Sequence, residues 1–456
     1  MIEGTIAATN LAIRIYKLTV QVSQHTDRGC LPVIIRGYNP RTEVQAFTSF
    51  AAEEWTEDMA KKKGGMKPDP YQSSTWEYWL SPAFWLFTAI KCNGDQAGLP
   101  LPPKLLAVRE TAQNDPKFAG LLQYFNGEIE HFGQVRGPGG RRGEGLVGEL
   151  LSLIVDAADA LVTTPHMYGE PLYIGFRDNI ARGIALNEAG AMKQQDVILA
   201  MDRGLRPCLL GGDEKQLTPT VMTHAKRDTI TEKPLNMFAS FAKISVLEHL
   251  KRTSYPFIML STQYRIVNGG FDVALDVCYP EFKANFKYGP TTSLKNHPKA
   301  TKVEAWASTA LGATRSPRGK VLPLFLNCPG ICYQSESWSR FNYDQCDRAG
   351  LLVDNLLGSG LGITAGDIGI ITPYRANMEV MEGVLARGDP ADHPSRRNVQ
   401  VDTADSFQGC ERSIVIFVLT VNSVKGPQFV ADPHRICLDL SRHRDFLFVI
   451  GDLDTC

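Results

Sequence analysis

Short apolar runs that stop abruptly at Gly, Asp, Thr or Pro recur along the chain. Three of them are residues 207–210, 368–371 and 446–450. Runs of this length are typical of buried parallel strands, which carry functional loops at their carboxyl ends. Between the runs, apolar residues at helical spacing predict helices over residues 238–250 and 348–357. Strands that alternate with helices predict an α/β fold with parallel sheets.

Residues 51–150 interrupt this alternation with flexible and charged sequence. The stretch contains KKKGG at 61–65 and a glycine-rich, arginine-containing run at 137–145. The glycine-rich run lacks the Lys-Ser/Thr pair that a phosphate-binding loop needs, so composition favours a solvated linker. We therefore expect residues 51–150 to be an insertion.

Composition indicates an ordinary soluble globular protein with a sizeable core. The 456 residues are 43% hydrophobic and 21% charged, which excludes a disordered or fibrous chain. The length suits about three domain-sized units, or equally two large lobes with an insertion. Because the formal net charge is −1, a nucleic acid would have to bind through a local basic groove.

The cysteines suggest neither a zinc site nor a disulfide framework. The ten cysteines include no CxxC pair, and Cys328 and Cys332 are separated by a Pro-Gly loop sequence. The longest apolar stretches, such as 413–421, are too short to cross a bilayer. The amino terminus also lacks the pattern of a secretory signal. These observations predict an intracellular protein with no membrane association.

Five polar segments follow one another in a fixed order. They are GGDEKQLTP (211–219), STQYR (261–265), IGIITPYR (368–375), VDTADSFQGCE (401–411) and RICLDLSRHR (435–444). This series resembles the carboxyl-terminal motifs of superfamily 1 helicases, in particular the nonsense-mediated-decay and senataxin-like branch of ATP-driven RNA and DNA helicases.

The resemblance implies two RecA-like P-loop NTPase lobes with parallel sheets. Residues 1–250 would form an incomplete first lobe that carries the insertion, and residues 251–456 would form the second lobe. It also implies ATP and Mg²⁺ as cofactors and single-stranded RNA or DNA as the partner, with RNA favoured. Protein partners in an RNA-processing assembly and a location in the cytoplasm or nucleus follow from the same resemblance.

A nucleotide-driven motor needs a glycine-rich phosphate loop, and no G-x-x-x-x-G-K-[ST] occurs in these residues. The Gly319-Lys320 pair is followed by Val321, where a Ser or Thr is needed to hold Mg²⁺. Two explanations stay open. The chain is a clipped helicase that begins just downstream of its phosphate loop, or it is a natural protein without one.

The resemblance assigns chemistry to four catalytic residues. Glu188 would orient or deprotonate the attacking water, and Gln216 would sense the terminal phosphate. Arg265 and Arg442 would point at the nucleotide phosphates, for which a permanently charged, forked guanidinium is suited. The nucleotide-binding set would be Asp213, Gln216, Arg265, Gly409, Glu411 and Arg442.

Three positions depart from the family pattern. Asn187 stands where the family has the Asp that holds water around Mg²⁺, so a metal site should be weakened and no metal ligand is predicted. Cys437 and His443 replace the usual Asn and small residue of the last motif.

Contacts with nucleic acid are implied for three sets of residues. They are Thr9 and Asn10 in an amino-terminal strand-to-helix motif, Thr163, Thr164 and Pro165 in a Thr-rich turn, and Thr372, Pro373, Tyr374, Ser406 and Gln408 in the later motifs. Simpler alternatives stay open, because Asn10 suits a helix cap, the Thr-rich turn suits a strand end, and Tyr374 suits lobe packing.

Two functions are consistent with these residues. The first is ATP-dependent unwinding of, or translocation on, single-stranded nucleic acid, impaired by the departures above. The second is a catalytically inactive helicase-like module that binds nucleic acid or protein.

Overall fold

The computed structural model describes residues 3–25, 32–52, 76–91, 101–201, 206–223, 226–229, 231–387 and 396–455. The chain divides into two compact units. Unit 1 comprises Met1–Leu186 and Gln195–Leu209, and unit 2 comprises Asn187–Gln194 and Leu210–Cys456. The predicted lobe boundary at residue 250 stays a prediction.

Unit 1 is mainly helical. Its helices are α1 (Glu3–His25), α2 (Pro40–Ala52), α3 (Pro82–Lys91), α4 (Pro103–Asn114), α5 (Ala119–Phe125), α6 (Gly143–Asp156), α7 (Pro165–Tyr168), α8 (Pro171–Gly175) and α9 (Gln194–Met201, all but its first residue). Its strands are β1 (Ile34–Arg36), β2 (Ala160–Val162), β3 (Ile184–Leu186) and β4 (Cys208–Leu210, all but its last residue). Strands β1 and β2 pair in parallel, and β3 pairs with β4.

The described part of the predicted insertion supplies much of the core of unit 1. Helix α6 buries the stripe Leu146, Leu150 and Ile154 at helical spacing, and these side chains pack with residues of α2, α3 and α4. The prediction of a solvated linker over 137–145 is wrong at its carboxyl end. Gly143 begins α6 and is buried, and a Cβ at this position would lie 2.9 Å from the Phe132 ring.

Helix α2 brings a buried carboxyl group into this core. Glu43 is fully buried and accepts hydrogen bonds from the Ala83 amide at 3.0 Å and the Trp76 indole at 3.4 Å. Burial raises the pKa of Glu43 to about 8, although these hydrogen bonds and the charge of the buried Arg36 act in the opposite direction. The carboxyl group is therefore largely neutral at neutral pH.

We expect the stability of unit 1 to fall as the pH rises from about 4.5 to about 8. The unfolded chain releases the Glu43 proton near the ordinary value of 4.5, whereas the folded unit holds it until about 8. One pKa unit corresponds to about 1.4 kcal/mol, so the full effect is on the order of several kcal/mol. Hydrogen exchange of residues 82–91 in urea, measured across this range, reports the change.

The Glu43→Gln variant should show a much flatter pH dependence than the wild type. Glu110→Gln, on an exposed part of α4, is the matched control and should keep the wild-type slope. Equal slopes in the wild type and Glu43→Gln would show that Glu43 is not the titrating group.

Unit 2 contains the larger sheet. Its strands are β5 (Thr262–Gln263), β6 (Lys287–Tyr288), β7 (Leu324–Asn327), β8 (Tyr333–Gln334), β9 (Arg340–Phe341), β10 (Ile368–Thr372), β11 (Gln400–Thr403), β12 (Arg412–Val418) and β13 (His443–Gly451). Its helices are α10 (Ala239–Ala242), α11 (Val246–Arg252), α12 (Asp272–Cys278), α13 (Pro298–Ala310), α14 (Tyr343–Leu357), α15 (Arg375–Ala386) and α16 (Pro433–Asp439).

Five strands form a parallel sheet in the order β11-β10-β12-β13-β7. Successive residues of β12 face opposite cores, with Ile414 and Ile416 on one side and Val415 and Phe417 on the other. The predicted α/β fold with parallel sheets is therefore confirmed, including the strands expected at 368–371 and 446–450.

Neutral amides hold the carboxyl end of β12 to the start of α14. The Gln345 side chain accepts from the Thr420 amide at 2.7 Å and donates to the Val421 carbonyl at 3.1 Å. The Asn342 side chain donates to the Thr420 carbonyl at 3.3 Å. Thr420 has a φ of 72°, and these contacts compensate its left-handed backbone. We refer to Asn342, Gln345 and Thr420 as the amide clamp.

The single helix predicted over residues 238–250 is interrupted in the structure. Residues 238–250 form two short helices, α10 and α11, because the Ser245 hydroxyl accepts from the Glu248 amide at 3.1 Å and starts a new helix. The helix predicted at 348–357 is confirmed as part of α14. No helix among the described residues is long and apolar enough to cross a membrane.

Candidate functional site

The loop that follows β4 fixes the side chain of Gln216. The Asp213 carboxylate accepts from the Lys215 amide at 2.9 Å and from the Gln216 side-chain nitrogen at 3.1 Å. An amide whose nitrogen is held in this way must present its oxygen in the opposite direction. The Gln216 oxygen accepts a hydrogen bond from the Arg442 guanidinium.

Arg442 lies between α16 and β13 and is only 3% exposed. Its Nε donates to the Leu438 carbonyl at 3.2 Å, and Leu438 lies in the last turn of α16. Two fixed acceptors, on Leu438 and Gln216, therefore orient the guanidinium. Chain segments more than two hundred positions apart meet at this contact.

A second arginine is held next to the first. The Arg265 Nε lies 2.8 Å from the Glu411 carboxylate, and its Nη1 donates to the Ser441 carbonyl at 3.4 Å. The Gln263 side chain accepts from the Arg265 amide at 2.9 Å and so shapes the turn that follows β5. We call Asp213, Gln216, Arg265, Glu411 and Arg442 the sensor cluster.

The two guanidinium groups of the sensor cluster lie close enough to affect each other electrostatically. Burial lowers the pKa of Arg442, the positive charge of Arg265 lowers it further, and the carboxylates of Glu188 and Asp439 oppose this. A forked guanidinium group binds phosphate oxygens through two parallel hydrogen bonds. Two adjacent guanidiniums beside a neutral amide match the oxygens of a phosphoryl group.

The acidic segment 187–190 packs against the loop that carries Gln216. The Ala189 amide donates to the Gly211 carbonyl at 2.9 Å, and Glu188 has a φ of 59°. A Cβ at Gly212 would lie 2.6 Å from the Gly190 nitrogen. The two loops therefore approach backbone to backbone, and only glycine fits at position 212.

We expect Gly212→Ala to destabilise unit 2 by about 1–3 kcal/mol, because the added methyl group forces two backbones apart. Unfolding in urea, monitored by the hydrogen exchange of residues 187–194 and 211–217, measures this cost. Gly383→Ala is the matched control, since a Cβ there meets open space within helix α15. It should stabilise the unit by about 0.5–1 kcal/mol. A Gly212→Ala variant as stable as this control would disprove the tight packing.

Tyr279 joins the sensor cluster without any sequence motif that marks it. Its hydroxyl donates to the same Asp213 oxygen that accepts from Gln216, and the Cys437 thiol lies 2.9 Å from the hydroxyl oxygen. Burial raises the pKa of Tyr279 well above its ordinary value, so the phenol stays protonated as a donor. Tyr279 thus fixes the Asp213 carboxylate that orients Gln216.

Comparison with known proteins finds relatives for part of this chain. Residues 242–454 match the family described as an AAA domain. The chain is 25% identical over 304 residues to Helicase sen1 of Schizosaccharomyces pombe. The aligned region covers 66% of this chain and 16% of the relative. It is 24% identical over 302 residues to Regulator of nonsense transcripts 1 of Dictyostelium discoideum. This aligned region covers 66% of this chain and 20% of the relative.

The human relative named Probable helicase senataxin is 22% identical over 277 residues, which covers 60% of this chain and 9% of the relative. The matched part of the chain is thus similar to superfamily 1 helicases of the nonsense-mediated-decay and senataxin-like branch. It spans less than a quarter of the length of each of these three helicases. The predicted resemblance is thereby confirmed.

The segment 401–411, which resembles a helicase motif, begins in β11 and continues into a compact turn. The Thr403 hydroxyl donates to Ser406 at 3.1 Å, Gln408 is 7% exposed, and Gly409 has a φ of 76°. The left-handed glycine reverses the chain so that Glu411 reaches Arg265. The nucleic-acid contacts of Ser406 and Gln408 stay predictions.

Two residues of the helicase segment 368–375 are held inside unit 2. The Thr372 hydroxyl is fully buried, lies 3.0 Å from the Thr420 hydroxyl and accepts from Asn377 at 2.9 Å. It is therefore not available for the predicted nucleic-acid contact, and Pro373 is likewise buried. Tyr374 is half-buried with its ring centroid 5.6 Å from that of Phe429, as the packing alternative expects.

The predicted strand-to-helix motif at 5–12 is wrong, because α1 runs through it. Asn10 is consequently inside a helix and not a cap. The Thr9 hydroxyl is buried and accepts from the Arg36 Nε at 3.3 Å. A strand-to-helix connection in unit 1 instead runs from β1 to α2.

The Thr-rich turn follows β2 as expected. The Thr163 hydroxyl donates to the Gly37 carbonyl at 2.8 Å, and this contact joins the carboxyl ends of β1 and β2. Thr164 precedes α7, and Pro165 begins it. Both the strand-ending turn and the nucleic-acid contact are compatible with this geometry.

Among the residues that the structure describes, no group of three or more His, Cys, Asp or Glu side chains is arranged to hold a metal ion. Asn187 is exposed and uncharged, whereas Glu188 is half-buried.

Proposed function

We propose that this chain supplies the phosphate-sensing part of an ATP-dependent superfamily 1 helicase that acts on single-stranded nucleic acid, with RNA favoured. The observation that carries the proposal is the contact between Gln216 and Arg442, with Arg265 held beside it. These residue types at these positions match the family's sensor and its two phosphate-directed arginines.

ATP would present its terminal phosphate to Arg442 and Arg265. Each arginine is already paired within unit 2, to Gln216 and to Glu411, so phosphate oxygens would replace these partners. The exchange would free the Gln216 amide, which Asp213 still holds by its nitrogen, to meet the attacking water. Mg²⁺ would neutralise charge on the phosphates when bound.

Loss of the terminal phosphate would restore the pairing of Arg442 with Gln216 and of Arg265 with Glu411. The sensor cluster would thus have two arrangements, one with phosphate and one without, as a coupled motor requires. The predicted nucleic-acid residues Ser406 and Gln408 precede Glu411 in the same turn, so a change at Arg265 would reach them directly.

The second candidate is a helicase-like module that binds nucleic acid or protein without hydrolysis. Asn187 at the metal position, together with Cys437 and His443 in the last motif, favours it. His443 is fully buried, and burial lowers its pKa to about 3, so it adds no positive charge for a phosphate. Protein partners of an RNA-processing assembly, and a place in the cytoplasm or nucleus, belong to both candidates.

Two measurements on the purified full chain separate the candidates. ATP turnover is recorded with and without single-stranded RNA, and binding of labelled RNA is recorded over a salt series. Turnover that RNA stimulates supports the motor. Salt-dependent RNA binding without turnover, and without an effect of a non-hydrolysable ATP analogue, supports the binding module.

A further inference from the structure

Two cysteines meet where helices α12 and α16 pack against each other. Cys278 is the last residue of α12 and is half-buried, whereas Cys437 lies within α16 and is fully buried. Both are free thiols in the structure. Cys278 is therefore partly accessible to small molecules, whereas Cys437 is not.

Tyr279 contacts the buried member of the pair. The Cys437 sulfur lies 2.9 Å from the Tyr279 hydroxyl, and Tyr279 directly follows Cys278 at the end of α12. The side chains of Cys278 and Cys437 are also close enough to influence each other's ionisation. The end of one short helix thus delivers a thiol and a phenol to the same buried sulfur.

The two thiols differ in acidity. The neighbouring Cys437 side chain lowers the pKa of Cys278 and the charge of Lys215 lowers it further, although burial and the charge of Asp213 oppose this. The neighbouring Cys278 side chain and burial raise the pKa of Cys437. In contrast, burial raises the pKa of Cys346 to about 12. Because the thiolate is the nucleophile, Cys278 is the more reactive member of the pair.

We propose that Cys278 and Cys437 are a peroxide-oxidised thiol pair that closes to an internal disulfide beside the sensor cluster. The Cys278 thiolate attacks one oxygen of hydrogen peroxide, gains an S–O bond and becomes a sulfenic acid, and the released hydroxide takes up a proton as water. The Cys437 thiol then displaces this sulfenic oxygen as a second water. Two thiols and one peroxide thus yield one disulfide and two waters.

Disulfide formation would remove the thiol that contacts Tyr279, whose hydroxyl holds Asp213. Oxidation would thereby loosen the carboxylate that orients Gln216. This consequence for phosphate sensing rests on the proposed function, whereas the oxidation chemistry does not. The test below therefore reads out sulfur chemistry alone.

Peptide mapping of the oxidised full chain tests the proposal directly. The protein is treated with graded hydrogen peroxide, free thiols are blocked with an alkylating reagent, and tryptic peptides are analysed by mass spectrometry without reduction. Cleavage after Arg265, Lys283, Arg435 and Arg442 gives peptides 266–283 and 436–442, each with a single cysteine. We expect these two peptides to appear as one disulfide-linked species, two hydrogens lighter than their sum.

Two variants identify the attacking and the resolving thiol. In Cys437→Ser, peroxide should leave a sulfenic acid on Cys278 that dimedone traps. In Cys278→Ser, Cys437 should remain a thiol that is alkylated after denaturation. Circular dichroism checks that both variants are folded, and the wild-type map stays decisive if they are not.

Recovery of both peptides as alkylated thiols, while other cysteines are oxidised, would overturn the proposal. Disulfide-linked dimers of the chain on a non-reducing gel, in place of an internal link, would overturn it as well. Cys346 is the internal control and should stay reduced at every peroxide concentration that links the pair.

Discussion

Under the proposed motor function, the Arg442→Gln variant is expected to lose ATP hydrolysis stimulated by single-stranded RNA by a factor of about 10³ or more. The guanidinium carries the charge that would stabilise the departing phosphoryl group, and it is oriented by Gln216 and Leu438. Glutamine keeps a polar side chain but supplies neither the charge nor the fork. The measurement is steady-state ATP turnover of the full chain at saturating RNA.

Arg444→Gln is the matched control for this loss. Arg444 lies two positions further along the chain in β13, is exposed, and approaches Glu411 only at 4.0 Å. Its replacement should change turnover little, since exposed ion pairs contribute about 0–1 kcal/mol. Arg442→Lys, which keeps the charge without the fork, should retain RNA binding while turnover stays low. Equal turnover in Arg442→Gln and Arg444→Gln would remove Arg442 from the mechanism.

The Phe448→Ala variant is expected to destabilise unit 2 by about 3–5 kcal/mol. Phe448 is fully buried in β13, opposite Ile416 and Leu324 of the neighbouring strands, and its ring centroid lies 4.6 Å from that of Phe446. Truncation leaves a cavity in the centre of the five-stranded sheet. Urea unfolding followed by hydrogen exchange of residues 412–418 gives the free energy of unfolding of this sheet.

An apolar truncation at the surface serves as the control. Val424 is 85% exposed, and Val424→Ala should change the free energy of unfolding by less than about 0.5 kcal/mol. A cost below about 1 kcal/mol for Phe448→Ala would mean that the core of this sheet collapses readily around the cavity, in contrast to the packing described.

The sequence reveals the central sheet because its strands are continuous apolar runs. Residues 368–371 and 446–450 are buried on both faces, so no alternation with polar residues obscures them. The break at Ser245 is harder to predict, since a helix cap there competes with an apolar pattern that continues across it. The local sequence shows the apolar pattern, but it does not show that the cap at Ser245 prevails over a continuous helix.

The candidate site was predicted residue by residue but not as a set of contacts. The resemblance to helicases identifies Gln216 and Arg442, yet their hydrogen bond joins positions 226 apart and depends on how the loops pack. Tyr279 has no motif, and its bond to Asp213 is visible only in three dimensions. The strand-to-helix motif was placed on α1 because no local signal separates that helix from the β1-to-α2 connection.

The amide clamp has a consequence for the conditions under which unit 2 keeps its shape. Asn342 and Gln345 hold the end of β12 through groups that neither gain nor lose a proton in the ordinary pH range. Added salt also weakens such uncharged bonds far less than it weakens exposed ion pairs. The carboxyl end of β12 should therefore keep one geometry in acidified, alkaline and high-salt surroundings, whereas the core around Glu43 should lose stability as the pH rises.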